Sequence, residues 1–242
     1  MCTVSIIPLP DHGYRVVHSR DEQRSRAPGT GPQEHRCVDA DGSGFTAHWP
    51  VDPDAGGTWV ACSPLGITHG IMNVNVGAKV SPTKSRGGLI PQRIHLRDAK
   101  AIIESLRSID LSCYATFRYI AVGNGETWVA KWDGTDLRIT EHPINVPICF
   151  ASSGLGDDLV ECRLPLFAQT VGADPTPDAQ DRFHNHRWPD RPEFSVMMSR
   201  EDARTVSVVA VESVGTQSPM MTQRTIDLGD SACDPIGAAM LQ

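Results

Sequence analysis

The stretch MCTVSIIPLPDHGYRVVHSRDEQRSRAP, residues 1–28, decides how this chain begins to fold. Two runs rich in β-branched residues, CTVSIIPL and GYRVVHSR, are separated by PDHG, whose Pro, Asp and Gly are typical of a tight turn. The pattern predicts a β-hairpin in which strand 2–9 pairs with strand 13–20 about residues 10–12. Because opposing residues of an antiparallel pair lie side by side, this hairpin would place Cys2 opposite the region of Arg20 and Asp21.

Cys2 follows directly after Met1, and this position gives it a chemistry that an internal cysteine lacks. Removal of Met1 would leave Cys2 with a thiol and a free α-amine on one residue. The unperturbed pKa of an α-amine is about 7.7–8.0 and that of a thiol is about 8.5, so the amine can accept the thiol proton near neutral pH. Nucleophile and base then arrive together, which is a known way to activate a weak nucleophile.

Such a site also needs a cation beside the sulfur and a carboxylate beside the α-amine. Arg20 and Asp21 have the required charges, and the predicted hairpin places them across from Cys2. On spacing alone, a solvated charge cluster at the end of a strand is the more common arrangement. The hairpin therefore raises the hypothesis of an active site without deciding it.

Composition excludes several other classes of protein. The 242 residues carry a formal net charge of −7 and no basic stripe, which argues against nucleic acid as a partner. No apolar run approaches the roughly 18–20 residues that span a bilayer, and no secretion signal is evident, so we expect a cytoplasmic protein. Seven cysteines without a CxxC pair argue against disulfides and a zinc site, and we expect no cofactor because phosphate-binding and dinucleotide motifs are missing.

The middle of the chain is predicted to consist mainly of hairpins. Residues 27–57 are rich in Gly, Pro and Asp and are expected to form a loop. A second hairpin is predicted from GGTWVACS and GITHGIMNV, and a third from YATFRYIAVG and ETWVAKWDG.

Two helices and two last strands complete the pattern. One helix is predicted from Gly88 to about Arg107, with Ile90, Ile94, Ile102, Ile103 and Leu106 on one apolar face, and a second over residues 157–171. The strands are predicted from FSVMMSR and RTVSVVAVES. After Gly215 the tail is weakly patterned. Several strands alternate poorly, as strands buried on both faces do. The order predicts one α+β domain over residues 1–242, a four-layer α-β-β-α sandwich of two antiparallel sheets.

Five segments together resemble one known family: MCTVS, SRDEQRSRAP, GGTWVACSPLGITHGIMNVN, KSRGGLIPQRI and SREDARTVSVV. Their order and spacing are similar to those of the NRDE family, the transport-and-Golgi-organisation family named for an Asn-Arg-Asp-Glu signature. That family resembles cysteine-type N-terminal nucleophile (Ntn) hydrolases, in particular the acylases that cleave penicillin V and conjugated bile acids. The resemblance implies the same four-layer sandwich.

The resemblance also implies roles for residues of this chain. Cys2 would be the nucleophile, Arg20 would stabilise its thiolate, and Asp21 would bind the α-amine. Asn73, with Asn75 as the alternative, would donate a hydrogen bond to the oxyanion. A late arginine of the acylases matches Arg200 or Arg204, and Arg200 is the one expected to be catalytic.

The chain departs from the family pattern at several positions. Ser19 stands where the signature has Asn. Arg20 and Asp21 are adjacent, whereas the acylases separate the two. Ser152 and Ser153 occupy the place of a further acylase asparagine and are expected to contact substrate. Missing polar partners would weaken substrate orientation.

Two further features of the sequence are site candidates. His184 and His186 could bind a metal together with Asp181 or Asp190, but two histidines in a polar loop more often face solvent. Trp59 is a candidate substrate platform, although a strand tryptophan is more often part of the core.

These observations predict an N-terminal-cysteine amidohydrolase that cleaves a small or N-acyl amide through a thioester once Met1 is removed. The alternative is a non-enzymatic haem-binding, lipid-binding or trafficking protein on the same fold, with the Cys2 thiolate as a soft iron ligand. A homo-oligomer is compatible with either function, because many layered hydrolases associate.

Overall fold

A computed structural model describes residues 2–75, 82–215 and 217–226 of the chain. Its strands are β1 (Cys2–Leu9), β2 (Gly13–Gln23), β3 (Gln33–Val38), β4 (Gly44–Trp49), β5 (Val60–Cys62), β6 (Thr68–Asn73), β7 (Phe117–Gly123), β8 (Glu126–Trp132), β9 (Leu137–Pro143), β10 (Ile148–Ser152), β11 (Ala203–Ser213) and β12 (Met220–Thr225). Its α-helices are α1 (Ala99–Glu104), α2 (Arg163–Phe167) and α3 (Pro177–His184). One turn of π-helix, Ala168–Gly172, continues α2, and several short 3₁₀ turns join the elements.

The strands form two antiparallel sheets. The five-stranded sheet has the order β10-β1-β2-β11-β12, and the seven-stranded sheet has the order β3-β4-β5-β6-β7-β8-β9. The predicted first hairpin is confirmed, since Cys2 pairs with Arg20 and Leu9 with Gly13. Asp11 and His12 adopt positive φ angles of 56° and 60° at the turn.

Alternation along β1 and β2 assigns their side chains to two different layers. Val4 and Val16 face the seven-stranded sheet and pack against its Met72 and Ile120. Ile7 faces the other way and packs against Phe183 of α3. Because side chains alternate along a strand, the same two strands line both the interior between the sheets and the space under the helices.

Helices cover the outer faces of both sheets, which confirms the predicted four-layer sandwich. Residues of α1 and the chain before it pack on the seven-stranded sheet, with Ile90, Ile102 and Ile103 fully buried. Helices α2 and α3 pack on the five-stranded sheet through Phe167 and Phe183, whose rings meet edge to face 5.2 Å apart.

The prediction of a loop over residues 27–57 is wrong. Strands β3 and β4 form a hairpin there, paired from Gln33↔Trp49 to Val38↔Gly44. Asp39 and Gly42 form part of the turn between the two strands, where Asp39 O accepts a hydrogen bond from Gly42 N and Asp39 N donates one to Ser43 O. The turn-forming residues therefore predict the short turn correctly, but they do not predict a loop over the whole stretch 27–57.

The two long predicted helices are each broken into short pieces. Between residues 88 and 107 the chain makes a 3₁₀ turn at Pro91–Arg93, and α1 begins only after Asp98, whose side chain caps it by accepting from Ala101 N at 2.7 Å. The apolar positions were nevertheless right, because Ile90, Ile94, Ile102, Ile103 and Leu106 are all buried. Over residues 157–171, a 3₁₀ turn, α2 and the π-helical turn replace one regular helix.

Two predictions near the C-terminal half are also corrected. FSVMMSR is not a strand; it follows a 3₁₀ turn at Pro192–Phe194 and buries Val196, Met197 and Met198 as irregular chain. The polar loop predicted to carry His184 is largely helix α3, and His184 is 1% exposed. In the described part of the chain, no helix is long and apolar enough to cross a membrane.

Candidate active site

A cavity of about 210 Å³ opens where β1 begins and β2 ends, beside the seven-stranded sheet. It is lined by residues from five segments of the chain: Cys2; Arg20, Asp21, Glu22 and Arg26; Asp52, Ala55, Gly57, Thr58 and Trp59; Ile71, Met72 and Asn73; and Ser85, Arg86 and Gly87. The hairpin therefore meets loops at this point that lie far from it in the sequence.

Cys2 and Arg20 reach this cavity because both face the interior between the sheets. They are direct partners across the β1–β2 ladder, and each is buried. The guanidinium carbon of Arg20 lies 4.5 Å from the ring centroid of Trp59, a cation–π contact that fixes its position. Trp59 thus lies under the cation and within the cavity wall, as a core residue that also borders the site.

Two acidic side chains hold the cations at the mouth of the cavity. Arg20 Nη2 contacts Glu22 Oε2 at 3.1 Å and Asp52 Oδ2 at 3.0 Å. Arg26 contacts the same two carboxylates, at 3.0 Å and 2.9 Å, and Asp54 at 3.2 Å. We call Cys2, Arg20, Glu22, Arg26 and Asp52 the cavity-side cluster.

The environment of Cys2 favours the protonated thiol. Burial raises the pKa of Cys2 above its ordinary value, and the Asp21 carboxylate adds to that effect. The Arg20 cation and the Asp21 backbone amide act in the opposite direction. Because burial dominates, attack by Cys2 needs a group that takes the thiol proton.

Asp21 directs its carboxylate to the opposite face of the sheet. Thr205 Oγ1 donates to Asp21 Oδ1 at 2.6 Å, and Arg163 Nη1 lies 3.7 Å from Asp21 Oδ2. A register shift between Thr205 and Ser207 in β11 brings Thr205 opposite Asp21. Burial raises the pKa of Asp21, while the Arg163 charge and the Thr205 hydrogen bond oppose that shift.

Further polar side chains of β1 and β2 form a buried network beneath the helices. His184 of α3 lies between Ser5 Oγ and Ser19 Oγ, each 2.7 Å from one ring nitrogen. Arg163 of α2 donates to Thr3 Oγ1 at 2.7 Å. We call Thr3, Ser5, Ser19 and Asp21, together with Arg163, His184 and Thr205, the helix-side cluster.

A close backbone approach builds the wall of the cavity opposite Cys2. The turn Arg86–Gly88 meets the loop before β5, where Thr58 N donates to Gly87 O at 3.2 Å. A Cβ atom at Gly57 would lie 2.7 Å from Gly87 Cα, so this contact requires glycine. Arg86 is thereby held in the cavity wall, and its Nη1 donates to Thr116 O at 2.8 Å.

The structure brings together some residues that the sequence singled out. Cys2, Arg20, Asp21, Asn73 and Trp59 all line the cavity. Ser152 lies beside them on β10, paired with Cys2, and its Oγ accepts from Cys2 N at 3.2 Å. Asn73 is half-buried at the end of β6, where its side chain can reach the cavity.

Other predicted residues lie elsewhere. Arg200 is outside the cavity lining, and its Nε contacts Asp202 Oδ1 at 2.5 Å because the chain reverses just before β11. Arg204 lies at the start of β11 opposite Glu22 and also does not line the cavity. The side chain of Asn75 donates to Asp157 Oδ1 at 3.2 Å, and Ser153 N donates to the same carboxylate at 3.0 Å, so both organise the loop after β10.

Sequence reasoning missed Arg86, Arg163 and Asp52 as members of the site. Arg86 lies within the segment KSRGGLIPQRI, and the adjoining glycines were the available signal. Arg163 and Asp52 carry no local signal, because their importance comes from the charges they meet across the fold. Met1, whose removal the predicted mechanism needs, lies outside the described residues.

A metal centre finds no support in the described ranges, which contain no group of three or more His, Cys, Asp or Glu side chains that could hold a metal ion. The buried His184 is occupied by Ser5 and Ser19, and burial lowers its pKa well below the ordinary value. Both ring nitrogens of His184 are thus hydrogen-bonded, and burial favours the neutral ring.

Solved structures share this fold, although no protein-family model and no curated protein matches the chain. An N-acylethanolamine-hydrolyzing acid amidase (NAAA) ortholog from Caenorhabditis elegans matches with a TM-score of 0.57 at 11% identity, covering 91% of this chain and 100% of that one. Two variants of the conjugated bile acid hydrolase from Clostridium perfringens match with TM-scores of 0.52 and 0.53 at 12% and 11% identity, covering 93% and 96% of this chain and 92% and 100% of theirs.

These matches show that the chain has the Ntn-hydrolase fold. At such low identity they define the fold and leave the substrate open. The resemblance to the NRDE family remains a prediction from the sequence.

Proposed function

We propose that this protein is an amidohydrolase whose nucleophile is the Cys2 thiol, active once Met1 has been removed. One observation carries the proposal: Cys2 lies directly opposite Arg20 in a cavity that Asn73 also lines. The structural neighbours, an N-acylethanolamine-hydrolysing amidase and a conjugated bile acid hydrolase, support the same class of reaction.

In the proposed acylation step, the Cys2 α-amine takes the thiol proton and Sγ attacks the amide carbonyl carbon. Arg20 stabilises the developing thiolate, and Asn73 donates a hydrogen bond to the oxyanion, a contact worth about 2.7–4 kcal/mol in comparable sites. The C–N bond then breaks. The α-ammonium returns the proton to the leaving amine, and a thioester to Cys2 remains.

In the proposed deacylation step, water replaces the departed amine. The α-amine accepts a proton from water, and the resulting hydroxide attacks the thioester carbonyl. The C–S bond breaks, the carboxylic acid leaves, and the thiol regains its proton. Because burial raises the pKa of Cys2, a neighbouring base is needed in both steps.

The helix-side cluster holds Asp21, the proposed partner of the Cys2 α-amine, in place. Asp21 is the proposed anchor of the α-amine, and Ser152 Oγ already accepts a hydrogen bond from Cys2 N. Thr205 and Arg163 orient the Asp21 carboxylate from beneath the sheet. Arg200 is not assigned a role, since its side chain pairs with Asp202.

The experiment treats purified protein with 4-nitrophenyl acetate and follows intact mass. We expect a mature chain without Met1, a burst of 4-nitrophenolate, and one acetyl adduct that maps to Cys2. Cys2→Ala should give neither burst nor adduct, whereas Cys162→Ser, which changes a half-buried cysteine outside the cavity, should behave as wild type.

A protein that retains Met1 would lack the proposed base and would contradict the mechanism. A persistent acetyl adduct without turnover would instead point to a hydrolase that has lost deacylation.

The haem-binding alternative rests on the sequence alone, with the Cys2 thiolate as the iron ligand. The cavity of about 210 Å³ is below the roughly 300–1,000 Å³ of sites for drug-sized ligands, which favours a small amide group over a macrocycle. A haem titration of wild type and Cys2→Ala tests this alternative, and a Soret shift lost in the variant would revive it.

A further inference from the structure

Arg86 differs from the other two arginines that line the cavity. Arg20 and Arg26 each contact both Glu22 and Asp52, so their charges are compensated. Arg86 makes no ion pair with any carboxylate in the described residues, and it donates instead to a backbone carbonyl, Thr116 O.

Specific contacts hold Arg86 in its position. Gly57 and Gly87 contact each other through their backbones, and this contact fixes the turn that carries Arg86. The hydrogen bond to Thr116 O holds one end of the guanidinium. A long side chain on an open surface would not be fixed in this way, so Arg86 presents an ordered cation to the cavity.

Arg86 also lies within electrostatic range of Cys2 and Glu22. Burial lowers the pKa of the Arg86 guanidinium, while the charges of Cys2 and Glu22 act against that shift. Even with this shift, an arginine remains protonated near neutral pH. A half-buried cation with no carboxylate in ion-pair contact among the described residues favours an anion brought by the ligand.

We propose that Arg86 is a specificity-determining residue that binds a carboxylate of the substrate. This inference rests on the proposed function and narrows it to amides that carry a carboxylate. Arginine suits that role because its planar N–H groups match a carboxylate in a two-point hydrogen bond. The carboxylate could lie on the amine side or on the acyl side of the scissile bond.

Two matched pairs of substrates distinguish a carboxylate on the amine side of the scissile bond from one on the acyl side. On the amine side, N-hexanoylglycine is compared with N-hexanoylethanolamine, which lacks the carboxylate. On the acyl side, the monoethanolamide of glutaric acid is compared with pentanoylethanolamide. For one of the two pairs, we expect wild-type protein to show a KM about tenfold or more lower for the charged member.

Variants of Arg86 test whether this residue causes the preference for the charged substrate. Arg86→Gln should raise KM for the charged substrate by about tenfold or more and leave kcat and the neutral substrate nearly unchanged. Arg86→Lys should recover part of the preference, because it keeps the charge but loses the planar geometry. Arg107→Gln removes an arginine from the surface pair with Glu104 and should match wild type.

A loss of kcat on charged and neutral substrates alike would overturn the inference, since Arg86 would then act on the thiolate or the oxyanion. The pH dependence of Cys2 alkylation by neutral iodoacetamide provides the matching check. A shifted alkylation profile in Arg86→Gln would indicate a role at the thiolate, whereas an unchanged profile supports carboxylate binding.

Binding without turnover separates this inference from the proposed function. Calorimetry measures the affinity of the Cys2→Ala protein for N-hexanoylglycine and for glutarate, and repeats both with Arg86→Gln added. Binding that depends on Arg86 would uphold the carboxylate site even if wild type forms no thioester. Absence of Arg86-dependent binding would reject the site even if Cys2 proves to be the nucleophile.

Discussion

The cavity-side and helix-side clusters occupy opposite faces of the same two strands, yet they differ in how their charges are satisfied. On the helix side, His184 has a hydroxyl at each ring nitrogen, and Arg163 and Thr205 meet Asp21 under complete burial. On the cavity side, Arg20 Nη1 is buried without a hydrogen-bond partner among the described residues. The helix-side cluster holds the hairpin in position. The cavity-side cluster retains a hydrogen-bond donor that a substrate could use.

The largest expected effect comes from the nucleophile of the cavity side. Cys2→Ala should lower kcat for amide hydrolysis by about 10⁴-fold or more, because no other group lining the cavity can form the thioester. Its thermal unfolding should differ little from wild type, since the variant removes one sulfur atom at the edge of the core. Residual turnover above about 1% of wild type would contradict the assignment of Cys2.

On the helix side, Arg163→Met should mainly reduce stability. Arg163 is 1% exposed and lies 3.7 Å from the buried Asp21, so its removal deletes the charge that most strongly opposes the cost of burying that carboxylate. We expect the free energy of unfolding to fall by about 3–5 kcal/mol in urea titrations. The matched variant Arg107→Gln, at an exposed ion pair, should change it by less than about 0.5 kcal/mol. Equal stabilities of the two variants would show that the helix-side cluster is dispensable.

Neighbouring glycines test the cavity wall. A Cβ on Gly87 would lie 3.0 Å from Gly57 Cα and Thr58 N, whereas on Gly88 the nearest atom, Gln92 Nε2, would be 3.9 Å away. Gly87→Ala should therefore destabilise the protein by about 1–3 kcal/mol and displace Arg86, lowering kcat/KM for a charged amide. Gly88→Ala serves as the control, and identical kinetics of the two variants would argue against a structured wall.

The smallest effect at neutral pH comes from His18, whose influence on stability appears only as the pH falls. Burial, with the nearby Arg20 charge, lowers the pKa of His18 to about 3, so the folded state keeps this ring neutral while the unfolded state binds a proton below about 6.5. The contribution of the neutral His18 ring to the free energy of unfolding is therefore fully present above about pH 6.5. It is lost progressively as the pH falls towards 3. His18→Met should flatten the plot of unfolding free energy against pH by about 1.4 kcal/mol per pH unit between pH 6 and 4. Parallel plots for variant and wild type would contradict a neutral buried His18.

Local patterns predicted much of the strand framework. The hairpin of β1 and β2 formed as expected, because its turn residues and its short connection fix the register over a few neighbouring residues. The helices were less predictable. Apolar spacing identified the buried face around Ile102 and Ile103, but Pro91 and the cap at Asp98 decided where regular helix could begin.

The sequence by itself determined that Cys2 would lie opposite Arg20, since a hairpin depends only on nearby residues. Tertiary structure alone decided which other charges join them. Asp52, Arg86 and Arg163 come from loops and helices 50, 84 and 161 positions beyond Cys2, and no local pattern distinguishes them from surface charges. Their roles follow from burial and proximity, which strengthen electrostatic interactions only after the sheets and helices have packed together.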